Sequence, residues 1–381
     1  MPASEITLAE RLVARGHHTV HIGKWHLGTA NGRAPHEQGF AETLLMTGAS
    51  YGRRDDEDLI EAVQDFDPIT RLVSVAGRFA VRFNGGAAFE PPTCLTDYCT
   101  DEAVHLIETN RDRPFFLYLA HYAPHTPLQA PRERVDATKA SGPRHERVYA
   151  AMIESLDEGV GRVQAALKEA GLDENTLVIF TSDNGGAGYI GLPDVNAPYR
   201  GWKSTMFEGR LHVPFVAPWP ARFPAGASFD APVHHFDLHE TVAAAAGAER
   251  PADRVMDGVD LTPFVPSGAA AGSPHDYLFF RSGAARAVRD DRWKLVVSVP
   301  PGMPRREWLF DLGPGADSDA ERTDLLAEPP EVADRLRRAL VAQDREEARP
   351  LWPWTATTAV NVDRDQSQPD RPEDEFAFWS N

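Results

Sequence analysis

The chain has 381 residues, enough for one large α/β domain plus a smaller attachment. Hydrophobic residues make up 42% and charged residues 25%, ordinary for a soluble globular protein, and no apolar run reaches the length of a membrane span. The formal net charge of −18 argues against a nucleic-acid or anionic-membrane partner, since both need a cationic face; a small anionic substrate stays open, because a local cluster suffices to bind it.

Thr7-Leu8-Ala9-Glu10 reads as a capping box opening a short helix that Gly16 ends. Residues 19–23 follow as a strand. A second unit places a helix over 101–110 and a continuous apolar strand over 115–120 (FFLYLA). A third places a helix over 147–171, with Val148, Met152, Leu156, Val160, Val163 and Leu167 at helical spacing, and a strand over 177–181 (LVIFT). Helix followed by buried strand, three times over, predicts a mainly parallel α/β sheet flanked by helices. Residues 213–217 predict a further strand and 238–246 a further helix. The stretch 50–92 is charged, broken by Gly85-Gly86, and reads as loop.

After about residue 270 the texture changes. Short strands over 277–280, 284–288 and 293–297 suggest a small antiparallel sheet, closed by a helix over 332–345. The expected domains are therefore an α/β domain over 1–270, an antiparallel subdomain over 271–345, and a tail over 346–381 that wraps the surface or is disordered.

In open α/β sheets, ligands bind beyond the carboxyl ends of the strands. Three of the expected strands end in reactive side chains. Lys24 and His26 follow the first, two apart, so on an extended segment both project to one side while Trp25 packs inward. His125, between Pro124 and Pro127, follows the second and is placed to act as a general acid. Asp183 and Asn184 follow the third and offer adjacent oxygen ligands for a hard cation, although Asn-Gly is equally a turn signal. Lys203 stands out in a chain whose positive charges are nearly all arginine. His235 and His239 are four apart, but no third ligand accompanies them. Cys94 and Cys99 are the only cysteines and read as two free thiols.

Taken in order, these pieces resemble the sulfatase family of the alkaline-phosphatase superfamily. Residues 16–28 (GHHTVHIGKWHLG) are similar to the family's second signature, 122–127 (YAPHTP) to its histidine motif and 180–186 (FTSDNGG) to its metal-binding strand end. Residues 199–214 (YRGWKSTMFEGRLHVP) resemble its lysine segment, and 256–263 (MDGVDLTP) a core-closing loop. The resemblance implies an alkaline-phosphatase-like fold and a small sulfate-ester substrate. It implies a divalent cation, usually calcium, held by Asp183 and Asn184, with Lys24 and Lys203 holding sulfate oxygens or the nucleophile. His125 would bind the sulfate and protonate the departing alcohol, and His26 would act on the hydrated aldehyde of the family's formylglycine.

The family's C-x-P/A-x-R motif, which supplies that formylglycine, does not occur in these residues, and neither cysteine has its neighbours. The chain is expected to begin after that motif and after an acidic pair of the metal site, and so to be impaired as it stands. Gly209-Arg210 replaces a glycine pair common in the family, and Trp202 and Ser204 replace small residues beside the lysine. Alternatives are a non-catalytic relative, or a phosphodiesterase or phosphonate hydrolase of the same superfamily. Substrate alcohol, compartment and oligomeric state are not legible.

Overall fold

A computed structural model of the chain describes residues 1–67, 69–70, 77–265, 272–313, 320–327, 330–350 and 357–380. The chain packs as two compact units, one of residues 1–177, 219–225 and 236–262, the other of 178–218, 226–235 and 263–381. The expected boundary at 270/271 lies outside the described residues.

In the first unit the capping box forms as read. Thr7 Oγ1 accepts from the Glu10 amide, the Glu10 carboxylate accepts from the Thr7 amide, and α1 runs Leu8–Val13. The strand β1 (His18–Gly23) then lies inside a five-stranded sheet, next to one edge, with Thr19, Val20, His21 and Ile22 all at most 4% exposed, so both its faces are covered. It pairs in parallel with β2 (Glu42–Met46) on one side and β6 (Phe115–Ala120) on the other. Two antiparallel strands, β4 (Val81–Phe83) and β5 (Ala88–Phe89), extend the β2 edge. A separate pair joins β3 (Leu59–Ala62) to β7 (Leu128–Pro131). Helix α2 (Leu95–Thr109) packs on β1 and β6, and α4 (Arg144–Glu169), preceded by the short α3 (Arg132–Ala137), packs on α2 and on the β3–β7 pair.

Two expectations are corrected here. The stretch 50–92 is not all loop: it supplies β3, β4 and β5, with Gly85-Gly86 turning the chain between the last two. The run over 177–181 does not enter the parallel sheet. Only β8 (Phe180–Thr181) is extended, and it pairs antiparallel with β9 (Phe215–Val216) in the second unit, where Phe180, Phe215 and Val216 are all exposed. A largely apolar run of five predicts a buried strand, yet among the described residues β8 has no second partner to bury it.

The second unit is built on the antiparallel meander β10 (Leu278–Ser282), β11 (Ala285–Arg289), β12 (Trp293–Ser298) and β13 (Arg306–Asp311). Val288, Leu295, Val297 and Leu309 pack with Ala333, Leu336 and Leu340 of the closing helix, Pro330–Glu346. The other core cluster joins Ala285, Ala287, Val296, Trp308 and Phe310 to Met206 and Phe207 of the lysine segment, and to Val362 and Ala377 of the tail. Each such fully buried large side chain contributes roughly 1.5–3 kcal/mol. Within the expected tail, β14 (Thr357–Asn361) and β15 (Phe376–Ser380) form an antiparallel hairpin, while 351–356 lie outside the described residues.

Candidate functional site

Lys24, His26 and His125 belong to the first unit. Because β1 and β6 are adjacent and parallel, with Gly23 opposite Ala120, the loops that follow them leave the sheet side by side. The Lys24 amide donates to the Ala120 carbonyl at 2.8 Å. Gly23 has φ 109°, and a Cβ there would lie 2.1 Å from the Ala120 oxygen, so only glycine lets the two chains approach. Trp25 turns inward as expected. Its indole N–H donates to the Gly28 and Arg33 carbonyls at 3.0 and 2.9 Å, and its ring meets His21 and Phe40 edge-on. Lys24 is half-buried and His26 exposed.

His125 is held from three directions. Its Nδ1 donates to the Thr126 carbonyl at 2.7 Å, its own carbonyl accepts from the Tyr51 hydroxyl at 2.8 Å, and its ring stacks on Tyr122 at 4.9 Å. Tyr122 stacks in turn on Tyr51, which is 1% exposed. With the proton assigned to Nδ1 by that carbonyl, proton exchange with a ligand falls to Nε2.

Asp183, Asn184 and Lys203 belong to the second unit. The loop after β8 and the lysine segment are zipped together by backbone. The Lys203 amide donates to the Gly186 carbonyl at 2.9 Å, and the Gly185 amide donates to the Arg210 carbonyl at 3.0 Å. Asn196 bridges them, its side-chain oxygen accepting from the Gly186 amide and its NH2 donating to the carbonyls of Gly186 and Gly201. A Cβ on Gly185 would lie 1.8 Å from the Gly209 oxygen, so this approach also needs glycine. Lys203 sits at the tip of a turn closed by the Thr205 amide donating to the Trp202 carbonyl at 3.0 Å. Ser204 adopts φ 80°, the value of the third residue of a type II turn, where glycine is the usual occupant.

The donor set around Asp183 does not by itself fit calcium. Calcium takes six to eight oxygens, and among the described residues no three His, Cys, Asp or Glu side chains are grouped to hold a metal. The replacement Gly→Arg also places a cation here: burial lowers the Arg210 pKa, and the charge of Asp183 opposes that shift. His235 and His239 do not form a ligand pair. His235 Nε2 donates to the Ser182 carbonyl at 2.8 Å, whereas His239 Nδ1 lies 3.0 Å from both the Arg11 guanidinium and the Glu240 carboxylate. Cys94 and Cys99 are free, and burial pushes their thiols up to about 11 and about 12, which leaves both protonated and unreactive at neutral pH.

The family model for Sulfatase matches residues 2–248. The chain belongs to the sulfatase family. Over 299 residues it is 32% identical to N-acetylgalactosamine-6-sulfatase of Mus musculus, covering 77% of this chain and 55% of that one. It is 33% identical to steryl-sulfatase of Mus musculus, covering 80% of this chain and 58% of that one. The chain thus spans little more than half the length of either relative. Among solved structures, Ps i-CgsB in complex with k-i-k-neocarrahexaose superposes with a TM-score of 0.77 at 28% identity, over 92% of this chain and 77% of that chain. The fold is that of the sulfatases, alkaline-phosphatase-like, with a mixed, mostly parallel sheet and a separate small antiparallel one.

Two residues that support this sulfatase's loops carry no mark in the sequence. His21, fully buried on β1, donates from Nε2 to the Lys24 carbonyl at 3.0 Å and so pins the start of the Lys24–His26 loop. Lys294, also fully buried, bonds Glu208 and Glu321 at 2.8 Å each, and Glu208 opens the short α5 (Glu208–Leu211) directly behind the Lys203 turn. Their residue types carried no signal: a histidine inside an alternating strand and a lysine before an apolar run both read as ordinary.

Proposed function

We propose that this sulfatase-family chain acts on sulfate esters, with Lys24 and His125 holding the sulfate and His125 protonating the departing alcohol oxygen through Nε2; Lys203 is proposed, from its likeness to the family's lysine segment, as a residue that holds sulfate oxygens. The observation that carries this is the β1–β6 pairing, which sets the Lys24 and His125 loops side by side at strand ends, where α/β sheets bind ligands. Cations and a held imidazole suit the chemistry: sulfate carries negative charge throughout, and the alcohol needs a proton as its bond to sulfur breaks. His26, on the same loop as Lys24, is proposed as a proton acceptor. Asp183 and Asn184 are proposed as two ligands of a divalent cation whose remaining oxygens come from elsewhere.

Inorganic sulfate titrated into the 381-residue chain should bind, and Lys24→Ala, His125→Ala and Lys203→Ala should each weaken binding about tenfold or more, the worth of one charge-assisted hydrogen bond. The same chain should not hydrolyse an aryl sulfate, because no C-x-P/A-x-R motif supplies a formylglycine nucleophile among these residues. Preceded by an acidic pair and a C-x-P/A-x-R motif, it should do so, and His125→Ala should depress the rate. Turnover by the 381-residue chain that neither His125→Ala nor Lys203→Ala reduces would sink the mechanism; sulfate binding with no turnover even in the extended protein would favour a non-catalytic relative.

Calcium should bind this chain with a dissociation constant no tighter than about 10⁻⁴ M, as at sites poor in carboxylates. Asp183→Ala should erase even that. Calorimetry showing tight calcium binding unaffected by Asp183→Ala would put the site elsewhere.

A further inference from the structure

We propose that the hairpin β14–β15 is a positioning clamp for Lys203, acting through Arg200 and Trp202, an inference that rests on the reading of Lys203 as a sulfate-holding residue. Arg200 lies three residues before the lysine and its side chain is only 9% exposed. Its guanidinium donates from Nε and Nη2 to the two oxygens of Asp363, each at 2.7 Å, in the paired geometry that fixes orientation as well as distance. Nη2 also reaches Glu375 at 2.6 Å, Nη1 donates to the Glu321 carbonyl at 2.8 Å, and Phe207 lies beneath the group at 5.0 Å.

Trp202, the residue before the lysine, is 4% exposed and donates its indole N–H to the Asn361 carbonyl at 3.1 Å. The hairpin grips the Asp183–Gly186 side as well, since the Gln366 amide donates to the Gly188 carbonyl at 2.9 Å. It is braced internally: Asn361 bonds Asp374, Arg364 pairs with Asp374, and the second Glu375 oxygen accepts from Trp308.

Such a grip is required by what lies between its two anchors and the turn's close. Ser204 is a non-glycine residue at φ 80°, a conformation that costs about 1–2 kcal/mol and persists only where surroundings impose it. A lysine on a flexible four-carbon stem places its charge reliably only if its backbone is fixed. Arg200 and Trp202 act only through Lys203 and are positioning residues.

The test uses the full chain with Arg200→Met, Arg200→Lys and Asp363→Asn, the last retaining the hairpin's shape. Hydrogen exchange is read at the amides of Gly185, Gly186, Lys203 and Thr205 and, as a control, along β10–β13; sulfate affinity is read by calorimetry. Arg200→Met and Asp363→Asn should speed exchange at the four turn and loop amides at least tenfold, leave β10–β13 protected, and lower sulfate affinity about tenfold. Arg200→Lys, which keeps charge but not the paired contact, should fall between. Equal loss of protection along β10–β13 would reduce the clamp to ordinary stability, and unchanged exchange at Lys203 would overturn it. If the unsubstituted chain binds no sulfate, the functional reading fails, while the exchange pattern still decides whether the clamp exists.

Discussion

Lys294→Met should lower the unfolding free energy of the second unit by about 3–5 kcal/mol, the cost of leaving buried charges uncompensated. Lys294 has no exposed surface, and its ammonium lies 2.8 Å from Glu208, 8% exposed, and from Glu321, 3% exposed. Burial alone would raise the Glu208 pKa, but attraction to Lys294, helped by His212 and Arg289, holds it well below the ordinary carboxylate range. Glu321 moves the other way: burial and the Glu208 charge raise it, against the pull of Lys294. The direction at Glu208 dominates, because three cationic or protonatable groups face it and one faces Glu321. A group held low in the folded state stabilises above its unfolded pKa of 4.5, and that contribution fades as pH falls below it. Methionine fills the space without the charge, so the loss should appear in urea unfolding at pH 7. Adding Glu208→Gln and Glu321→Gln to Lys294→Met should recover most of it. A single substitution costing less than about 1 kcal/mol would show that water reaches the cluster.

Between pH 6.5 and 4 the first unit should lose about 3 kcal/mol through His21 alone. Burial pushes this imidazole down to about 4 from 6.5, only partly offset by its bond to the Lys24 carbonyl. The unfolded chain therefore takes up the proton more readily than the folded one. His21 stability is fully present above pH 6.5 and is lost as pH falls towards 4. His121, pushed down to about 4 by burial, adds to the same window. His21→Phe keeps a ring beside Trp25 and Phe40 and removes the titration, so urea midpoints at pH 7 and pH 5 should converge relative to the unsubstituted chain. An unaltered pH slope in His21→Phe would show that another group governs acid loss.

The sequence was legible where short-range chemistry decides structure. Thr7 and Glu10 cap a helix wherever they stand three apart, and Phe115–Ala120 is extended because six consecutive apolar residues are bounded by Pro114 and His121. Sulfatase resemblance placed Lys24, His26, His125, Asp183, Asn184 and Lys203, and each set stands in its own unit on a strand end or a turn. Long-range pairing was not legible. The run over 177–181 matches a buried strand in composition, yet its pairing is antiparallel to the segment around Val216, Phe180 is exposed, and only two residues are extended. The tail carries the Pro and Asp of a disordered segment, but those aspartates are the partners of Arg200 and Arg364, and no local pattern reveals an ion pair that spans 163 residues. Glu42–Met46 was missed because a five-residue strand in a parallel sheet shows no alternation.

That span has a consequence for biosynthesis. The anchors of the Lys203 turn come 159 to 175 residues after the residues they hold. At about 5–20 residues per second, the turn emerges from the ribosome roughly 8–35 s before its clamp is made. During that interval Ser204 has no reason to keep its left-handed backbone, and until β13 is made Met206 and Phe207 have no sheet to cover them. The first unit's parallel strands, complete by residue 120, can pair long before then. The nascent second unit therefore offers chaperones an apolar segment that waits for the β11–β13 strands, and a turn that stays unclamped until translation has passed residue 375.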